Sequence, residues 1–311
     1  MEVYTRLDGI TKITDEELIA ISVQNDLKDI VEIFSGLNSR GTRVREADIY
    51  LGIVAARKPG WVRDNFLLYI EQLADAGYDV GPTTVFASLT AIGAGRVKYK
   101  SVPDEFWDST QVERAWSNLK HSCAYTVRAM SEFGITSNSL FPTENALVIL
   151  LLIVGKFTPK NFAPVLHWFL QASRYGRYSG ATTTSLDEDI REIIDSEDIG
   201  EALSRLNSRI RQVEPLSTED FMRDYSDGRF GRLILYLMTY SSGALDWDVA
   251  ANRIGFDGPE ILQTYQPQFY HIFPKGFLRS ATEDSAVNAL ANIAVIGPKI
   301  NRRISSKNPM D

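Results

Sequence analysis

Thiols and imidazoles are scarce in this chain. One cysteine, Cys123, and three histidines occur among 311 residues. A single thiol forms no intrachain disulfide and cannot build a multi-thiolate zinc cage. That usage fits a reducing compartment, and the expected location is the cytoplasm. Long apolar runs are missing as well. The longest runs from Ala146 to Val154, well short of the roughly 20 residues a bilayer-spanning helix needs. It is read as a core helix, and no membrane is expected as a partner. Glu2, Arg6 and Asp8 interrupt the apolar stretch that a secretory signal requires. Cations are not in excess either: 33 Lys and Arg against 40 Asp and Glu give a net charge of −7. A global basic footprint is thereby excluded, and any nucleic-acid contact must come from a local patch. Lys299, Arg302, Arg303 and Lys307, set against Asp311, form one candidate; a solvated basic tail is the plain alternative.

What is present is the pattern of a helical protein. Residues 1 to 24 read as short pieces, with weak strand alternation at Ile19, Ile21 and Val23. The abrupt opening reads as the second part of something larger. Asp26 caps a helix to about Leu37, and Asn38-Ser39-Arg40-Gly41-Thr42 stops it. A second helix runs from near Arg45 to Lys58-Pro59-Gly60. Val112 to Phe133 is long and periodic, and Glu144 to Val154 is the most apolar helix and the expected centre. Ser185, with Glu188 three residues later, reads as a capping box. Further helices are expected from Ile199 to Val213, Thr218 to Tyr225 and Arg229 to Tyr240. His121, Cys123 and His167 lie on helices with no second Cys/His pair to complete a metal site, so they are read as structural. Arg174 and Arg177 stand near Asp187, Glu188 and Asp189; an ion-pair network is the favoured reading, phosphate contact the alternative.

The chemistry gathers at the C-terminal end. Gln268 to Phe273 suits a strand that Pro274 ends, and Asn292 to Ile296 suits a second. Gly297-Pro298 then leads into a short helix carrying Asn301. Hydrolysis of a phosphodiester needs a base for water, neutralisation of phosphate charge, and a fixed orientation of the base. A histidine with an ordinary pKa of ~6.5 suits the first role. An asparagine carbonyl can hold an imidazole, and an asparagine oxygen can serve a hard cation.

Several segments, in order, carry a resemblance. They are Ile33-Phe34, Leu37-Asn38-Ser39, Gly41-Thr42 and Asp48; Trp168-Phe169; Arg177-Tyr178-Ser179-Gly180 and Leu186-Asp187-Glu188-Asp189; and His271-Ile272-Phe273-Pro274 with Asn292, Asn301 and Ser305-Ser306-Lys307. Together they resemble the GmrSD-type restriction endonuclease family, in which a helical part follows a ParB-like domain and an HNH nuclease domain ends the chain. The resemblance implies a mainly α fold: a multi-helix body with a small C-terminal ββα-metal (HNH-like) domain. The expected division is a helical domain with short N-terminal strands over 1–265 and the HNH-like domain over 266–311. The implied activity is a metal-dependent DNA endonuclease of restriction or anti-phage defence. His271 would be the general base and Asn292 would orient it, with Asn288 as runner-up. Asn301 would be a ligand of Mg2+ or another divalent metal, and Lys275, Arg302 and Arg303 would contact DNA. A ParB-like NTP-handling domain or subunit is the implied partner.

The chain departs from the family pattern in three places. Val44 replaces a leucine. No DGQQR-type motif occurs. Tyr270 stands where an Asp, Glu or His commonly precedes the base, and a phenol of pKa ~10 is a poor ligand for a hard cation. A catalytically decayed DNA-binding or assembly module is therefore the alternative, and a structural helical scaffold the third reading.

Overall fold

The computed structural model describes residues 46–108, 110–210, 214–247, 252–257, 260–261, 265–278, 284–298 and 300–301. All belong to the second of two compact units, Met1–Arg45 and Glu46–Asp311. The expected strand near Ile19, the Asp26 helix, its Asn38–Thr42 turn, and Arg302 and Arg303 lie outside the described residues.

Helix α1 (Glu46–Arg57) leads through a π-helical segment, Val62–Leu67, into α2 (Leu68–Asp75). Phe66 anchors that segment: it is fully buried, with its ring 6.2 Å from Phe86 and 5.8 Å from Trp116. Helix α3 (Pro82–Ala94) begins with proline in its first turn, where the missing N–H breaks no intrahelical bond. It ends at Gly95, φ 65°, a left-handed cap that glycine adopts without Cβ penalty. After α4 (Asp104–Asp108), α5 (Gln111–Glu132) buries Val112, Ala115, Trp116, Leu119, Cys123, Thr126 and Met130. Their spacing of three and four draws one stripe along the helix.

Helix α6 (Asn145–Phe157) has no solvent face over Ala146 to Val154, all of which are buried. Around it pack α3, α5, α7 (Ala163–Arg174) and α8 (Thr182–Ile194). At about 1.5–3 kcal/mol per fully buried large aliphatic side chain, this helix is the main hydrophobic contributor to the body. The central position expected for it is observed.

The capping box at Ser185 does not form. The Ser185 N–H already donates to Ala181 O at 3.1 Å, so α8 starts one turn earlier, at Thr182. The cause is the turn before it. Arg177 Nε and Nη2 bond Asp189 at 3.1 and 2.8 Å, and Nη2 also reaches Glu188 at 3.1 Å. Tyr178 donates its hydroxyl to Asp189 at 2.7 Å. These bonds pull residues 177–181 against α8. The expected ion-pair network is thus realised at Arg177, whereas Arg174 turns to Asp220 at 3.0 Å. Asp187 accepts the Val97 N–H at 3.0 Å.

Beyond α9 (Ile199–Ser208) and α10 (Thr218–Met222), the long helix α11 (Arg229–Ser241) carries the C-terminal part. The helix expected to reach Tyr225 stops at Met222, because Arg223 is extended (φ −68°, ψ 152°). A two-residue pair, β1 (Phe256–Asp257) and β2 (Glu260–Ile261), precedes β3 (Gln268–His271). Two short helices, α12 (Lys275–Leu278) and α13 (Asp284–Val287), separate β3 from β4 (Ile293–Ile296). Strands β3 and β4 are antiparallel, in the register Gln268↔Ile296, Phe269↔Val295, Tyr270↔Ala294 and His271↔Ile293. A second hydrophobic cluster joins Leu233, Tyr236 and Tyr240 of α11 to Leu140, Ile254, Tyr265 and Val295. It draws on both sides of residue 265, so the hairpin shares its core with α11. The Tyr236 hydroxyl donates to Gly134 O at 2.6 Å and ties that cluster to the larger body. Among the described residues no helix is long and apolar enough to cross a membrane.

Candidate functional site

Alternation along β3 decides which side chains share a face. Phe269 and His271 lie on the side turned to α11, where Phe269 packs against the cluster containing Val295. Gln268 and Tyr270 lie on the other. The Tyr270 ring meets Trp247 edge-on at 5.9 Å, while the His271 ring meets Tyr225 edge-on at 5.3 Å and 89°. The residue before the histidine therefore faces away from it.

Asn292 closes the loop after His271 through the backbone, not through the imidazole. Its Oδ1 accepts the Phe273 N–H at 2.9 Å, and its Nδ2 donates to Phe273 O at 3.1 Å and Val287 O at 2.8 Å. The Ile272 N–H donates to the Asn292 carbonyl at 2.8 Å, extending the ladder past the end of β3. Among the described residues no hydrogen bond joins the Asn292 side chain to His271, the contact expected of it. Asn292 stands directly after the His271↔Ile293 pair, so its amide meets backbone that an imidazole does not occupy. That contact belongs to the runner-up: His271 Nε2 lies 3.2 Å from Asn288 Oδ1.

Asn288 is held by a segment from before α11. The Tyr225 N–H donates to Asn288 O at 2.9 Å and the Leu290 N–H to Arg223 O at 2.9 Å, with Asp224 bridging Ala289. Gly231 permits this approach: a Cβ there would lie 2.6 Å from Leu290 Cδ1. The pairing brings Asp224 to the site. The Ser226 hydroxyl and N–H donate to Asp224 Oδ1 at 2.7 and 2.8 Å. These bonds hold the carboxylate below the usual Asp range, assisted by the Asn288 side chain and the charge of Lys275. Burial holds His271 below the usual histidine range, and Lys275 acts in the same direction; the Asn288 bond and the Asp224 charge oppose them. The imidazole is thus kept neutral near pH 7, the form a base requires.

Asn301 is not brought to His271. Its Nδ2 donates to Gln268 Oε1 at 3.2 Å, three residues back along β3, about 10 Å away at ~3.4 Å per residue and on the opposite face. Lys275, at the start of α12, does flank the histidine. A cleft of about 480 Å3 opens on the Asp224 side, lined among others by Arg174, Tyr175, Asp220, Arg223 and Asp227. Among the described residues no group of three or more His, Cys, Asp or Glu is arranged to hold a metal.

Sequence reasoning passed over Asp224. It lies far upstream of the histidine, in a stretch read as helix. The available signal was Asp224-Tyr225-Ser226, where an aspartate bonding the backbone two residues on marks a turn.

No known family profile matches the chain. It is similar to an uncharacterized protein of Methanocaldococcus jannaschii, 22% identical over 99% of this chain and 53% of the relative. The chain thus spans about half the length of the relative it matches.

Proposed function

We propose that this chain is the nuclease portion of a restriction or anti-phage defence protein, a DNA endonuclease of the HNH type working in the cytoplasm. One observation carries the reading: a histidine ends the first strand of an antiparallel hairpin, and an asparagine before the second strand staples the intervening loop. In this reading the helical residues Pro298, Ile300 and Asn301 after β4 would open the helix of a ββα order. His271 would take a proton from water on Nδ1, which no described residue hydrogen-bonds. The resulting hydroxide attacks phosphorus, the bond to the leaving oxygen breaks, and that oxygen takes a proton from solvent. Lys275, Arg302 and Arg303 would contact the phosphate backbone. A ParB-like domain or subunit would supply any NTP handling.

A divalent cation, Mg2+ or a relative, enters this reading through the family resemblance. When bound it would offset charge on the phosphate. Asn301 is the residue assigned to it, and the described residues do not by themselves make a ligand set.

The test is supercoiled plasmid with the full chain and Mg2+ or Mn2+. Nicking by the native protein and none by His271→Ala is expected. Intact plasmid in every arm sinks the nuclease reading. The alternative, a decayed DNA-binding or assembly module, is favoured by Tyr270, whose ring meets Trp247 and which supplies no carboxylate beside the base. It predicts salt-sensitive DNA binding without nicking.

A further inference from the structure

A hydrogen bond at one corner does not fix an imidazole. The last torsion of histidine joins a tetrahedral to a planar carbon, and its preferences are broad and roughly two-fold. Turning about that bond swings Nδ1 further than Nε2, because Nε2 lies closer to the axis. His271 Nε2 lies 3.2 Å from Asn288 Oδ1, which leaves the plane of the ring open. A second contact has to set it, and here it comes from a segment before α11.

We infer that Tyr225 is a positioning residue for His271: its ring sets the plane of the imidazole and thereby the direction of Nδ1. The two rings stand at 89° with their centroids 5.3 Å apart, within the range of about 4.5–7 Å favoured by edge-to-face pairs. The edge of one ring meets the face of the other, so a turn of the imidazole about its last torsion breaks the contact. The same residue holds the hydrogen-bond partner. The Tyr225 N–H donates to Asn288 O at 2.9 Å. Tyr225 thus fixes both the plane of the ring and the backbone that carries the amide.

The segment is anchored on both sides of Tyr225's backbone bond. The Leu290 N–H donates to Arg223 O at 2.9 Å, and Asp224 bridges Ala289. These are main-chain bonds, so a change of side chain at 225 removes the ring and leaves the Asn288 contact in place. The charged groups that face the imidazole are Lys275 and Asp224, and both stay when the Tyr225 ring is removed. Tyr270 is turned to Trp247 instead. Burial is what most lowers the His271 pKa, and the Tyr225 ring supplies part of that cover.

This inference rests on the nuclease reading for what the orientation serves, but not for its test. With three histidines in the chain, the ring signals of His271 are assigned by comparison with His271→Ala. Carbon relaxation of the native imidazole should give an order parameter near that of rigid backbone, about 0.85. In Tyr225→Ala it should fall below about 0.6, and His271 should titrate closer to ~6.5 than in the native protein. Nicking of supercoiled plasmid with Mg2+ should drop by about 100-fold, the cost of a misplacement of about 1 Å. Tyr225→Phe, which restores a flat ring, should restore rigidity, titration and nicking together. Should Tyr225→Ala not fold, Tyr225→Leu, with apolar bulk but no flat ring, takes its place. A mobile native ring, or a ring as rigid in Tyr225→Ala as in the native protein, overturns the inference. So does a Tyr225→Phe protein as impaired as Tyr225→Ala, because the hydroxyl and not the ring would then be at work. The relaxation and titration use neither DNA nor metal. Intact plasmid in every arm, with the ring loosened in Tyr225→Ala, would remove only the nuclease reading. Nicking with an equally rigid ring in every protein would remove only the role of Tyr225.

Discussion

The side chain of Asn292 pairs with the backbone of Phe273 in both directions, accepting its N–H at 2.9 Å and donating to its carbonyl at 3.1 Å. Asn292 is 8% exposed and also satisfies Val287 O. Alanine at this position leaves three backbone groups without their partner, each costing about 1–3 kcal/mol where water cannot replace it. Asn292→Ala should lower stability by about 2–4 kcal/mol in urea denaturation, whereas His271→Ala, at a half-buried position, should fall within about 1 kcal/mol of native. Equal stabilities would show that the loop does not depend on this clamp.

Arg177 and Asp189 make a prediction of opposite character. The carboxylate of Asp189 is 1% exposed and receives two guanidinium bonds and the Tyr178 hydroxyl. Asp189 holds the Arg177 pKa above its usual value, and burial, then the Asp189 charge, pushes Tyr178 well up. Arg177→Met strands a buried charge and should cost about 3–5 kcal/mol. Adding Asp189→Leu should restore part of that loss, because removing both charges also removes their desolvation penalty. A double variant no more stable than Arg177→Met would argue against a buried-charge origin.

Gly93 tests packing against propensity. Alanine is the better helix former by about 1 kcal/mol. A Cβ at Gly93 of α3 would lie 2.4 Å from the Phe106 ring and 2.6 Å from Ala115 Cβ. Overpacking of this kind costs about 1–3 kcal/mol, so Gly93→Ala should destabilise despite its propensity. A raised melting temperature would show that Phe106 moves aside freely.

The pH dependence follows from the depressed His271 pKa. The folded protein holds its proton less tightly than the unfolded chain, whose histidine titrates near ~6.5. The contribution of His271 to stability is therefore present above that pH and is lost as pH falls through the folded pKa. Nicking should likewise fall on the acid side, with its midpoint below ~6.5. Lys275→Met removes a charge that lowers this pKa and should move the midpoint up. Asp224→Asn removes one that raises it and should move the midpoint down. Titration of His271 by NMR checks both directions; shifts of the same sign would contradict the assignment of these neighbours.

By itself the sequence determined the helical body. The run from Ala146 to Val154 has no polar break, so its helix had to lie at the centre. The three-and-four spacing of Val112, Trp116, Leu119 and Cys123 likewise fixed the inward face of α5. Both strands of the hairpin were legible from their bulky residues and from Pro274. These are local properties, set by periodicity and backbone preference. The partner of His271 was not local. Two asparagines stand four residues apart, and composition cannot tell which one meets the ring. Only the tertiary structure decided it: the register His271↔Ile293 turns the Asn292 amide onto the loop backbone. Pairing of residues 223–225 with 288–290 brings Asp224 beside Asn288. A hydrogen bond between segments dozens of residues apart depends on how α11 packs against the hairpin, and that packing leaves no periodic mark in the chain.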